Sequence, residues 1–168
     1  MKTIIKKINI YKFEELEKGI QEKLIEKEKE NQEKIYCESF LHDDMEEKAI
    51  ELLKENFGNK ATFNEIYYDM SYTQGSGAMI EFDLYYYNKY VKIKQNGLYT
   101  HERSFTINSY ELTEKQEKKL YNKIVEINKK LTKFGYDNIE YFWNMPKNEL
   151  INILSEYDFL ENGEIYYN

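Results

Sequence analysis

Residues 64–94 read NEIYYDMSYTQGSGAMIEFDLYYYNKYVKIK, and their alternation of apolar with polar side chains sets the architecture of the chain. Alternation with a period of two is typical of strands that bury one face. Gly75–Gly77 and Asn88–Lys89 interrupt the pattern, and both are residue combinations that favour tight turns. With a further strand expected around Arg103–Asn108, the sequence predicts a four-stranded antiparallel meander.

The pairing of these strands is predicted from the requirement that acidic side chains stay out of the core. The expected cross-strand pairs are Tyr68 with Leu84, Met70 with Phe82, Tyr72 with Ile80, Leu84 with Ile93, Tyr86 with Val91 and Asp83 with Lys94. We therefore expect helices to pack on the face formed by Tyr68, Met70, Phe82, Leu84 and Ile93.

Four helices, one strand and one hairpin are predicted around this sheet. The expected elements are a strand at 3–11, a helix within 12–32, a helix from Asp43 or Asp44 to Gly58, a helix from a Thr113–Gln116 capping box to Gly135, a helix opened by Pro146, and a hairpin at Asn162 and Gly163. No linker or repeat interrupts the pattern. The sequence predicts one α+β domain over residues 1–168, with 136–168 as a candidate C-terminal helical lobe.

The charge of the chain is −7, and most of it lies beyond Phe134, where seven acidic residues face one lysine. Such a surface repels nucleic acid, because binding to phosphates comes largely from lysine and arginine. Glu156, Asp158 and Glu161 are therefore candidate contacts for a basic protein partner. No apolar run approaches the ~20 residues that a membrane span needs, and a single cysteine permits no internal disulfide. We expect a cytoplasmic protein.

Tyrosine is unusually frequent, at 17 residues. Tyrosine is enriched in protein interfaces, because its rigid ring carries a polar tip. Tyr85 and Tyr87 are accordingly candidate partner-binding residues. The alternative is that the tyrosines reflect an AT-rich genome, since lysine, asparagine and isoleucine are abundant as well.

Three acidic residues, Asp69, Glu81 and Asp83, are predicted to share one face of the first hairpin. A divalent cation would relieve their mutual repulsion. Lys92 and Lys94 on the next strand offer a simpler neutralisation, and this interpretation is preferred. The sequence thus predicts neither a metal site nor a cofactor.

The remaining candidates for chemistry are His42, His101 and Cys37. Neither histidine has a second ligand at zinc-motif spacing, and Cys37 lacks the basic surroundings of a reactive thiol. The glycines of residues 74–77 precede a strand rather than the helix that a phosphate loop requires. No catalytic residue is predicted.

Three segments, YKFEELEKGIQEKLIEK (11–27), NEIYYDMSYTQGSGAMIEFD (64–83) and EYDFLENGEIY (156–166), resemble a family of small proteins common in phages and prophages. Its Ser-Tyr-x-Gln-Gly-x-Gly-Ala turn is matched by Ser71, Tyr72, Gln74, Gly75, Gly77 and Ala78. Members of the family usually carry aspartate where this chain has Ser76.

The resemblance implies a mobile-element origin and a role in blocking host defence, as anti-CRISPR proteins do. The predicted function is therefore non-enzymatic inhibition of a host defence protein, such as a CRISPR effector, with nucleic-acid mimicry as one mode. Two alternatives stay open. One is a small-ligand- or metal-binding enzyme that uses the acidic hairpin face, and the other is a structural or regulatory phage protein.

Overall fold

The computed structural model describes residues 7–97 and 100–167. Its elements are β1 (Tyr11–Lys12), α1 (Lys18–Ser39), α2 (Leu41–Phe57), β2 (Ala61–Asp69), β3 (Gly77–Tyr86), β4 (Lys89–Gln95), β5 (Phe105–Asn108), α3 (Glu114–Trp143), α4 (Lys147–Leu154) and β6 (Asp158–Phe159). They form two compact units, one within Ser39–Ile139 and one from the described parts of Met1–Glu38 and Glu140–Asn168. The single-domain expectation stays a prediction. None of the described helices is long and apolar enough to cross a membrane.

The unit at 39–139 contains a four-stranded antiparallel sheet in the order β2-β3-β4-β5, so the predicted α+β meander is confirmed. Helices α2 and α3 pack on one face of it. The Phe57 ring at the end of α2 lies 5.8 Å from the ring of Phe82 in β3. The buried residues of this layer include Met45, Leu52, Leu53, Ile80, Phe82, Leu84, Ile93, Leu120, Ile124, Ile127 and Leu131.

The predicted register of the first hairpin is wrong. Ile66 pairs with Ile80, and Tyr68 pairs with Ala78 rather than with Leu84. A bulge between Phe63 and Glu65 adds one residue to β2. The connection is also longer than the three glycine-rich residues expected, since it runs from residue 70 to residue 76.

The second hairpin is displaced from its prediction by two residues. Phe82 pairs with Ile93, and Leu84 pairs with Val91. The turn consists of Tyr87 and Asn88, not of Asn88 and Lys89. Because the displacement is an even number, each side chain keeps its predicted face.

The predicted helix boundaries are partly corrected. The first helix begins at Lys18, and α2 begins at Leu41 without a side-chain cap. The end of α2 at Gly58 is confirmed by a φ of +61°. The strand expected at 3–11 is limited to Tyr11–Lys12 within the described residues, and its positions 3–6 lie outside them.

The capping box of α3 is confirmed, because the Thr113 N–H donates to Gln116 Oε1 (3.1 Å) and the Gln116 N–H donates to Thr113 Oγ1 (3.3 Å). The helix does not end at Gly135, as predicted, but continues to Trp143. A Cβ at Gly135 would lie 2.8 Å from Met70 Cε and 2.9 Å from Met45 Sδ. This glycine therefore permits close packing instead of ending the helix.

The second unit has a small core of its own. β1 pairs with β6, which places Tyr11 opposite Phe159. The core consists of Phe13, Leu16, Leu154 and Phe159, with Ile20, Leu24, Ile25 and Ile151 packed against it. Pro146 precedes α4, as predicted. The predicted turn at Asn162 and Gly163 is present, with Gly163 at a φ of +84° and Phe159 bridged to Ile165.

Candidate functional site

The outer face of the sheet, opposite the helices, carries a pair of exposed tyrosines. Tyr85 in β3 is the direct cross-strand partner of Tyr90 in β4, and their ring centroids are 5.5 Å apart. The two residues are 59% and 46% exposed. Tyr85 was among the predicted binding residues, whereas Tyr90 was missed, because the predicted register placed it opposite Tyr87.

Tyr87 occupies the tip of the same hairpin and is 55% exposed. Its φ is +50°, and that of Asn88 is +61°. Positive φ at both positions of a two-residue hairpin turn favours asparagine and glycine, whereas a left-handed conformation costs a bulky residue about 1–2 kcal/mol. An edge contact with the ring of Tyr86, at 4.7 Å between centroids, offsets part of this cost. We call Tyr85, Tyr87 and Tyr90 the tyrosine patch.

The acidic residues predicted to line this face have different cross-strand neighbours. Asp83 lies opposite Lys92 and accepts a 2.7 Å hydrogen bond from the hydroxyl of Tyr90. This bond raises the pKa of Tyr90 above its ordinary value. Glu81 lies opposite Glu65 in β2, and Asp69 lies opposite Gly77. Among the described residues, no group of three His, Cys, Asp or Glu side chains is placed to hold a metal ion.

Asp69 instead organises the turn that follows it. Its carboxylate accepts the backbone N–H of Ser71 at 2.9 Å. The hydrogen bond from the Ser71 side chain is the main cause that holds the pKa of Asp69 below its ordinary value, and bonds from the Ser71 backbone and the Ser76 side chain add to it. The hydroxyl oxygens of Ser71, Thr73 and Ser76 lie 3.0 Å from one another. The turn is therefore held by hydrogen bonds among side chains, and it is not the three-residue loop of Gly75–Gly77 that was predicted.

Most other positions of the Ser-Tyr-x-Gln-Gly-x-Gly-Ala motif also have local structural roles. Tyr72 has a φ of +57°, and its ring lies 4.5 Å from that of Tyr136. Gly75 and Gly77 both have positive φ, and a Cβ at Gly77 would lie 3.1 Å from the Cα of His101. Ala78 is fully buried. Gln74 and Gly75 line an open cavity.

The acidic residues predicted to bind a partner belong to the other unit. Glu156 and Glu161 are exposed. Asp158 forms an ion pair with Lys12, with 2.7 Å between Oδ1 and Nζ. That bond raises the pKa of Lys12. Asp158 therefore helps to join β6 to β1, and of the three residues Glu156 and Glu161 are the better candidates for contact with a partner.

The two histidines and the cysteine have ordinary environments. His42 lies 3.8 Å from Glu46 on the same helix. His101 Nδ1 accepts the backbone N–H of Arg103 at 3.1 Å. Burial, followed by the charges of nearby glutamates, raises the pKa of the Cys37 thiol. The thiol is thus protonated at neutral pH and a weak nucleophile.

A scan against protein-family models, a search of curated proteins and a search of solved structures each found no match. The resemblance to phage and prophage proteins stays a prediction from the residues quoted above.

Proposed function

We propose that this chain is a non-enzymatic accessory protein of a phage or prophage that binds and inhibits a defence protein of the host, in the manner of an anti-CRISPR protein. The tyrosine patch is the surface that we propose for contact with this partner. The segments at 11–27, 64–83 and 156–166, with the motif at residues 71–78, carry the family resemblance from which the role is inferred.

The observation that carries the proposal is the conformation of Tyr87. An exposed aromatic residue stands where asparagine or glycine would lower the energy of the turn. A strained residue at an exposed position is typical of a functional site, because the rest of the fold must supply the free energy that holds the strained conformation. Together with Tyr85 and Tyr90 it presents large aromatic area at a small entropic cost, which is what protein interfaces use.

Charge supplies the second argument. Glu156 and Glu161 are exposed, and they belong to a segment with strong acidic excess. A partner with a basic channel built for phosphates would be attracted to such a segment. Effectors guided by nucleic acid have this property, which makes them the favoured class of partner.

The function can be tested in bacteria that each carry one active defence system directed against a phage. The measurement is the efficiency of plating with and without expression of this protein. We expect plating to rise by several orders of magnitude in a host whose defence is blocked, and to be unchanged in a host without the defence. Unchanged plating in hosts covering the CRISPR classes and the other known defence systems would overturn the proposal.

Variants then test the tyrosine patch in the responsive host. Tyr87→Asn is suited to this purpose, because asparagine is favoured in the turn and removes the ring without breaking the hairpin. We expect Tyr87→Asn combined with Tyr85→Ser to abolish protection. Tyr110→Ser is the matched control, since Tyr110 is fully exposed in the β5–α3 connection, outside the patch. Equal protection by the patch variant and the control would exclude the patch as the interface.

A further inference from the structure

An open cavity of about 600 Å³ lies within the 39–139 unit, between two connections of the sheet, and no residue of the tyrosine patch lines it. One wall is the β2–β3 turn, which contributes Gln74, Gly75 and Ser76. The other wall is the β4–β5 connection, which contributes His101, Glu102 and Arg103. We call this space the turn–loop cavity.

Side chains of α3 connect β3, the strand that follows the first wall, to the second wall. Asn128 is fully buried, accepts the Ile80 N–H at 3.3 Å and donates to the carbonyl oxygen of Glu102 at 3.2 Å. Thr132 Oγ1 accepts the Ala78 N–H at 2.8 Å. A single buried amide thus connects β3 to the loop that carries half of the cavity. The cavity is preformed, which lowers the cost of ordering its residues around a ligand.

Arg103 gives the cavity its chemical character. It is the only arginine of the chain, although Lys and Arg together number 24. A guanidinium differs from an ammonium in its rigid fork of donors, which matches the two oxygens of a carboxylate or phosphate. Within the described part of the chain, Arg103 has no acidic partner at ion-pair distance.

His101 adds a second donor with a defined orientation. Its Nδ1 accepts the backbone N–H of Arg103. The proton of the neutral ring must then be on Nε2, so Nε2 is a donor in both charge states. Gln74 on the opposite wall supplies an amide that can donate or accept. Glu102 is the only acid that lines the cavity in the described structure, and it disfavours ligands of high negative charge.

We infer that the turn–loop cavity binds a small molecule through a single carboxylate or phosphate group held by Arg103 and His101. Glu102 then receives a hydroxyl or amino group of the same ligand. The inference is independent of the proposed role in defence, because neither the tyrosine patch nor the acidic segment contributes to this cavity.

The test is a titration followed by amide chemical shifts of the isotope-labelled protein. The probes are inorganic phosphate, lactate and glycine, each at constant ionic strength and pH. We expect at least one probe to give saturable shifts at residues 74–76 and 101–103. Saturable shifts with lactate and glycine but not with phosphate would identify a carboxylate ligand. Saturable shifts with phosphate alone would identify a phosphate ligand. Shifts that are absent, or that grow linearly with every salt, would overturn the inference.

Arg103→Lys separates charge from the guanidinium fork. We expect it to weaken binding of the responding probe by about tenfold, which corresponds to the loss of one good hydrogen bond. Lys118→Gln, at an exposed position of α3, is the control and should bind as the parent does. Thermal melting confirms that both variants are folded. Unchanged affinity in Arg103→Lys would show that the guanidinium fork does not hold the ligand.

Discussion

Replacing Asn128 with aspartate tests the buried amide that joins β3 to the β4–β5 connection. The two side chains have the same shape, so the substitution creates no cavity. The introduced carboxylate can still accept the Ile80 N–H, but it cannot donate to the carbonyl oxygen of Glu102. A protonated carboxyl group could make both bonds. The folded protein must therefore protonate the group or bury a charge beside a carbonyl oxygen.

The magnitude follows from the cost of protonation. At pH 7 an aspartate with an ordinary pKa of about 3.9 lies some three pH units from protonation, at about 1.36 kcal/mol per unit. This sets an upper limit of about 4 kcal/mol for the loss of stability, and we expect Asn128→Asp to lose about 3–4 kcal/mol because the site is fully buried. The folded pKa of the new group is raised. Its destabilising effect is therefore greatest at neutral pH and falls to roughly 1–2 kcal/mol at pH 5.

Urea denaturation of the parent and the variant at pH 7, 6 and 5 measures this difference. The control is Asn122→Asp, because Asn122 is exposed on the same helix and should change stability by less than about 0.5 kcal/mol. A loss below about 1 kcal/mol at pH 7, or a loss that does not shrink as the pH falls, would refute the role assigned to Asn128.

Three further predictions concern the acidic segment, the glycines and the turn. Glu156→Lys combined with Glu161→Lys should slow association with a basic partner. Binding of the parent should weaken with added salt, which shortens the screening length from about 10 Å at 0.1 M to about 3 Å at 1 M. Equal association rates for both proteins at every salt concentration, measured by surface plasmon resonance, would argue against charge steering. Gly77→Val should melt at a lower temperature than Gly97→Val. Both substitutions cost roughly 1–3 kcal/mol, because both glycines have positive φ. Only a Cβ at Gly77 would also lie 3.1 Å from a backbone atom, whereas no described atom lies within 4 Å of a Cβ at Gly97. The pKa of Asp69 is lowered in the folded state, so its carboxylate stabilises the fold above the ordinary carboxyl range, and this stabilisation is lost as pH falls through the folded pKa. In an acid titration, Asp69→Asn should therefore lose less stability than the parent. Identical curves of stability against pH would contradict this.

The sheet and the identity of its buried face could be predicted from the alternation of side chains, whereas the register could not. Moving a strand by an even number of residues leaves every side chain on the same face, so Phe82 and Ile93 were expected on the buried face under either pairing. The pairing itself depends on the length of the turns. The length of the first turn is set by hydrogen bonds among Asp69, Ser71 and Ser76. A pattern of apolar and polar residues does not reveal these bonds.

The candidate site, too, could be predicted only in part. Tyr85 and Tyr87 were predicted from composition, but the partnership of Tyr85 with Tyr90 requires the correct register. The turn–loop cavity was not predicted, because Asn128 reaches Ile80 and Glu102 across 48 and 26 residues of sequence. The one signal available in the sequence was that Arg103 is the only arginine.

The most direct test of the central claim, inhibition by binding rather than by catalysis, is a titration of the purified defence effector from the responsive host with this protein. The measured quantity is the residual effector activity at a fixed effector concentration well above the dissociation constant, read after short and long incubation. A binding inhibitor predicts a linear loss of activity that is complete near equal molar amounts and is the same at both times. Inactivation by far less than one equivalent, increasing with incubation time, would show turnover and contradict the claim.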